Sequence, residues 1–137
     1  MSIANLITTY LSAILFLLIT HKATSQECVS IPTGTWDAET INGSHGKYGS
    51  SQVSISIQDS SYVISDFTGG LFGEFSGEGV ELTFSINCNG TLIGDEFDTD
   101  YGRCEITGGY YDSLNQELKI DWVIPFNQLE ETTVFTK

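Results

Sequence analysis

Alternation of apolar and polar residues with period two runs through much of this chain. Residues 53–57 read VSISI, residues 80–86 VELTFSI and residues 118–124 LKIDWVI. In the second segment Val80, Leu82, Phe84 and Ile86 share one face, and Glu81, Thr83 and Ser85 the other. In the third, Leu118, Ile120, Trp122 and Ile124 alternate with Lys119 and Asp121. Successive side chains of a strand point to opposite faces, so this pattern predicts half-buried strands with one wet side. Residues 35–41 (Trp36 and Ala38 inward), 62–67, 104–111 and 132–136 complete the predicted set. Beyond residue 25 no window carries the i, i+3, i+4, i+7 spacing of an amphipathic helix. Only Phe126–Glu131, following Pro125, suggests a helical turn.

Turn chemistry separates these segments. Asn42-Gly43 and Asn89-Gly90 are tight-turn dipeptides whose two central residues tolerate positive φ. Asp59-Ser60-Ser61 is a short polar connection, and Asp112–Gln116 reads as a five-residue hairpin loop. Evenly spaced short strands of this kind predict an all-β fold: a single antiparallel meander of about eight strands closed into a barrel, with a β-sandwich as the alternative.

The N-terminus is read as an address. Leu11–Ile19 is a short apolar core, followed by Ala23-Thr24-Ser25 in the small-x-small arrangement that signal peptidase cleaves. Residues 1–25 are therefore expected to be a signal peptide, and 26–137 a single β domain that is secreted or periplasmic and has no membrane attachment once cleaved. The net charge of −13 becomes −14 after cleavage, because Lys22 leaves and all 18 acidic residues stay. Such a surface disfavours nucleic acid and anionic membranes, which need clustered cations.

Export into an oxidising compartment changes how the three cysteines read. Three pairings are open. Cys88–Cys104 closes the shortest loop between predicted strand ends and is the expected disulfide, with Cys28 left over. The competing pairings join Cys28 to either of the others and tie the terminus to the sheet.

Gly34-Thr35-Trp36 opens the first predicted strand. A Gly-x-Trp at that place resembles the start of lipocalin-like barrels, where the Trp plugs the closed end. With Tyr62–Asp66, Gly109–Asp112, Leu118–Trp122 and the terminal Thr-Val-Phe-Thr-Lys137, the chain resembles small lipocalin-like domains of exported proteins of Bacteroidetes-type bacteria. The resemblance covers about residues 34–136. It implies a barrel with an apolar ligand, and it transfers no catalytic residue.

The candidate ligand lining is Phe67, Phe72, Phe75, Tyr110 and Trp122. The first three lie in the glycine-rich segment 67–79, FTGGLFGEFSGEG, which suits a lid at a barrel mouth. The plainer reading of that segment is a bulged strand with its aromatics in the core. Asp98 and Asp100, followed by Gly102, resemble the start of a calcium loop. The Glu that would complete an EF-hand is absent at residue 109, which is Gly, so Asp98 and Asp100 are weak metal candidates beside the simpler reading of a solvated acidic loop. Trp36 and Trp122 suit core packing better than a sugar platform, and Tyr110-Tyr111 puts one ring on each face of a strand. His45 stands alone in a glycine-rich turn with no triad partner. Asn42-Gly-Ser44 and Asn89-Gly-Thr91 match the glycan acceptor pattern while also serving as turns. The expected function is an exported, non-enzymatic, cofactor-free barrel that binds a small apolar ligand. The alternative is a structural or protein-interaction module with a solid core.

Overall fold

The computed structural model describes residues 27–42, 46–71, 79–94, 96–100 and 102–137. The signal segment expected over 1–25 lies outside the described residues, as do His45, Phe72 and Phe75. The fold is all-β. Nine antiparallel strands lie in one sheet: β1 (Gly34–Asn42), β2 (Gly46–Gln58), β3 (Ser61–Ile64), β4 (Leu82–Ile86), β5 (Leu92–Ile93), β6 (Glu96–Thr99), β7 (Gly102–Asp112), β8 (Glu117–Ile124) and β9 (Leu129–Thr136). Their order across the sheet is β5-β4-β3-β2-β1-β9-β8-β7-β6. This is a meander whose last strand returns beside its first, from Thr136 opposite Asp37 to Glu131 opposite Asn42. All strands belong to that sheet, so the sandwich alternative does not hold.

β5 and β6 are two halves of one line along β7. Thr91, just ahead of β5, bridges Tyr110, and Glu96 of β6 faces Glu105 in the same register. β5 also pairs with β4, Leu92 opposite Ile86. The line therefore joins both ends of the sheet, which curls into a barrel-like form. Close approach at this seam depends on Gly109, where a Cβ would stand 2.8 Å from Leu92 Cβ and 2.9 Å from the Lys119 carbonyl.

The alternation read from the sequence supplies the interior. Trp36 and Ala38 of β1, Val53 and Ile55 of β2, Leu82 and Phe84 of β4, Leu118, Ile120, Trp122 and Ile124 of β8, and Phe135 of β9 are all buried. Each large side chain of this set contributes roughly 1.5–3 kcal/mol by leaving water.

Four local expectations are corrected. The turn expected over Phe126–Glu131 is a single 3-10 turn, Pro125–Asn127. It stops because Gln128 takes a left-handed φ of 53° and donates its N–H to the Pro125 carbonyl. Ile124 then pairs with Leu129 and β9 begins. β3 ends at Ile64 rather than at residue 67. Asn89-Gly90 is not a doubly left-handed turn: of the two, only Gly90 has positive φ, and Asn87 closes the turn by accepting the Asn89 and Thr91 amides on its side chain. Among the described residues a doubly left-handed hairpin lies at Asp59 and Ser60, φ 47° and 69°, between the paired Gln58 and Ser61, while Gly43 of the expected Asn42-Gly43 turn lies outside them.

The fourth correction is the disulfide. It joins Cys28 to Cys88, Cα atoms 4.1 Å apart, and not Cys88 to Cys104. Cys104 lies near the start of β7 and points into the core, where it is a free thiol. Cys88 sits in the exposed turn after β4, at the opposite end of the barrel. There residues 27–33 lie across the end: Val29 donates to the Cys88 carbonyl, the buried Ile31 donates its amide to the Tyr62 hydroxyl (3.0 Å), and Trp36 Nε1 donates to the Pro32 carbonyl (3.0 Å). Lys137 Nζ donates to the Thr33 carbonyl and lies 5.5 Å over the Trp36 ring.

Candidate functional site

At the other end of the barrel the chain leaves β3 and turns inward. Asp66 organises the turn. Its Oδ1 accepts the Thr68 hydroxyl (2.6 Å), the Thr68 amide (3.0 Å) and the Val80 amide (3.3 Å), while Oδ2 accepts the Gly70 amide (3.0 Å). Gly69 and Gly70 follow with left-handed φ of 61° and 88°, and Phe67 donates its amide to the Val80 carbonyl. The result is a strap, residues 66–71, folded into the barrel.

The strap packs against the barrel wall. Phe67 meets Trp122 edge to face at 5.3 Å and Phe97 at 5.4 Å between ring centroids. The Thr68 carbonyl accepts the Thr40 hydroxyl, which lies 3.3 Å from the Thr133 hydroxyl. Thr133 Oγ1 in turn accepts the Trp122 indole N–H at 3.0 Å. A Cβ on Gly69 would stand 2.8 Å from Thr40 Oγ1, and one on Gly70 3.1 Å from Ser51 Cβ. Phe67, Thr68, Thr40, Thr133 and Trp122 are all 0% exposed.

Of the residues expected to line a ligand site, the three described ones, Phe67, Tyr110 and Trp122, do not meet in one place. Phe67 and Trp122 pack on each other as core, where the sequence reading placed them around a ligand. Tyr110 is half exposed on the outer surface, and Phe72 and Phe75 lie outside the described residues. Tyr111 is buried edge to face against Trp36, so the Tyr-Tyr pair does split between faces. Asp98 and Asp100 are exposed at the β6–β7 hairpin, with Asp98 opposite Arg103, whose guanidinium pairs with Glu96. Among the described residues no three His, Cys, Asp or Glu side chains are grouped to hold a metal ion. Searches against family models, curated proteins and solved structures find no match for this chain.

One interior group stands out. Glu131 of β9 lies on the same inward face as Thr133 and Phe135 and is only 4% exposed. Neither carboxylate oxygen has a hydrogen-bond partner. Burial disfavours the charged form and pushes its carboxyl up from 4.5 to about 7. Its cross-strand neighbours are Trp122 on β8 and Asn42 on β1. An open groove of about 440 Å³ at these strands is lined by Glu131 and Trp122 together with Ile41, Asp121, Glu130 and Thr132.

Asp66 and Glu131 were not singled out in the sequence. Signals for both exist. Asp66-x-Thr68 is a side-chain-to-backbone turn pattern. Carrying the alternation of 132–136 two residues back would have placed Glu131 on the inner face.

Proposed function

We propose that this chain is an exported, non-enzymatic barrel acting as a structural or protein-interaction module through its outer surface. The observation that carries the reading is the strap: Phe67, Thr68 and Gly69 are buried where a barrel of this kind would hold a guest. The disulfide is compatible with an extracellular or periplasmic location. The lipocalin-like opening at Gly34-Thr35-Trp36 belongs to the same proposal, with Trp36 covering the closed end. An apolar interior ligand is the weaker reading, because Phe67 and Trp122 of its expected lining are spent on packing against each other.

The test is titration of the folded protein with an apolar fluorescent probe, read by probe emission and by quenching of tryptophan fluorescence. No saturable binding is expected. Saturable one-to-one binding that quenches tryptophan would sink the filled-interior reading.

A further inference from the structure

The barrel interior holds a carboxylate that the proposed function does not use. Glu131 is bound to the strap through its neighbours. Its cross-strand partner Trp122 carries Phe67 on its ring, and the next inward residue of β9, Thr133, abuts Gly69, whose Cβ would lie 3.2 Å from Thr133 Cγ2. Whatever disturbs the surroundings of Glu131 therefore acts on both wall residues that hold the strap.

Among the described side chains nothing in those surroundings balances a charge. β1 presents Trp36, Ala38 and Thr40 inward, β8 presents Leu118, Ile120, Trp122 and Ile124, and β9 itself presents Thr133 and Phe135. β7 contributes the neutral Cys104 thiol. The strap carries Asp66, whose oxygens are taken by Thr68, Gly70 and Val80. On the outer face of the same strands Asp121 and Glu130 add only negative charge. Lys119 pairs with Glu117, Arg103 with Glu96, and Lys137 lies on Trp36 and Thr33. A buried carboxylate without a partner is tolerated when neutral, and when ionised it demands water or a cation.

We propose that Glu131 is a proton-operated latch on the strap: neutral, it lets Trp122 and Thr133 hold Phe67–Gly70 in place, and ionised, it draws water into the barrel and loosens that segment. The inference goes beyond the interaction reading and does not depend on which partner the outer surface meets. Burial that raises the Glu131 carboxyl to about 7 puts the switch near neutral pH. The strap would be held tightly in mildly acidic surroundings and loosened in mildly alkaline ones.

Cys104 is a built-in reporter. It is fully buried, faces Phe97 across the β6–β7 ladder, and Phe97 meets Phe67 edge to face. Burial, then the nearby Glu105, pushes its thiol up to about 12, so it is inert while the interior stays closed. The experiment compares its reaction with 4,4′-dithiodipyridine in the native protein and in Glu131→Gln, at about pH 5 and about pH 8.5. Comparing the two proteins at one pH cancels the thiol's own titration. Equal rates are expected at the lower pH, and a rate at least about tenfold higher in the native protein at the upper. Equal rates at both, or a faster variant, overturn the proposal. Should the variant fail to fold, amide exchange of the native protein decides, after correction for the intrinsic pH dependence. Protection of Thr68, Gly70 and Val80 should fall above neutral pH while β8 stays protected. Unchanged protection, or equal loss across all strands, overturns the latch.

Discussion

Glu131 and Ser60 each hold a state their neighbours do not relieve. For Glu131 that state is charge. The folded pKa is raised from 4.5 to about 7. Below the lower value the group is protonated in both folded and unfolded chains and costs nothing. Between the two values only the unfolded chain releases its proton, so stability falls as pH rises, and above about 7 the full cost is in place. Glu131→Gln should therefore match the native protein in urea unfolding near pH 4 and exceed it by about 1–3 kcal/mol near pH 8. A pH-independent difference would count against an ionisable cause. For Ser60 the state is backbone conformation. Asp59 and Ser60 both sit at positive φ in a two-residue hairpin that suits Asn-Gly better. Ser60→Gly should stabilise the protein by about 0.5–1 kcal/mol, seen as a shifted urea midpoint at unchanged slope.

Among elements, the strap matters most and was least legible. Its anchor is one carboxylate that satisfies three amides and a hydroxyl, nearly all out of water. Asp66→Ala leaves those donors without an acceptor, so a loss of about 2–4 kcal/mol is expected in denaturant unfolding, with increased probe binding as the strap frees the interior. A loss under about 0.5 kcal/mol would show that Phe67 packing alone seats the strap. The sequence exposed most of β4, placing its start two residues early, and nearly all of β8, because their inward residues are all apolar and their outward ones mostly polar. In β9 the inward set is Glu131, Thr133 and Phe135. Two of these three are polar, so hydropathy marked only its last five residues and left Glu131 unseen. β5 has two residues, too few for any period, and it exists because β4 and β7 flank it. In the strap, Phe67 follows a strand-like run and was read as continuing it. What ends the strand is a local preference of Asp66 for amides two and four residues on, which outcompetes the ladder without disturbing hydropathy.

At the scale of the whole molecule, the barrel depends on a narrow closure. The seam rests on the Thr91–Tyr110 bridge and on the Tyr111 amide donating to the Gly90 carbonyl at 2.9 Å, beside the disulfide turn. Cys28–Cys88 fastens this seam to the segment that covers the same end, which explains why the longer-range pairing serves the fold. The shorter alternative would have linked opposite ends of the barrel. The cysteines are 60 residues apart, so loop entropy alone restricts the unfolded chain by about 4 kcal/mol. Cys28→Ser should lose stability by up to that amount, and reductant should bring the native protein down to the level of the variant. Cys104→Ala removes only a buried sulfur and should cost about 1 kcal/mol, leaving the bridge intact by mass. Thiol counting supplies the sharper readout. The folded native protein should show no reactive thiol at acidic pH and one after unfolding, and Cys104→Ala should show none in either state. A Cys104 variant that gains a reactive thiol would mean that Cys104 was bridged after all. The seam would then be held by hydrogen bonds alone, and the covered end of the barrel would lose its covalent tie.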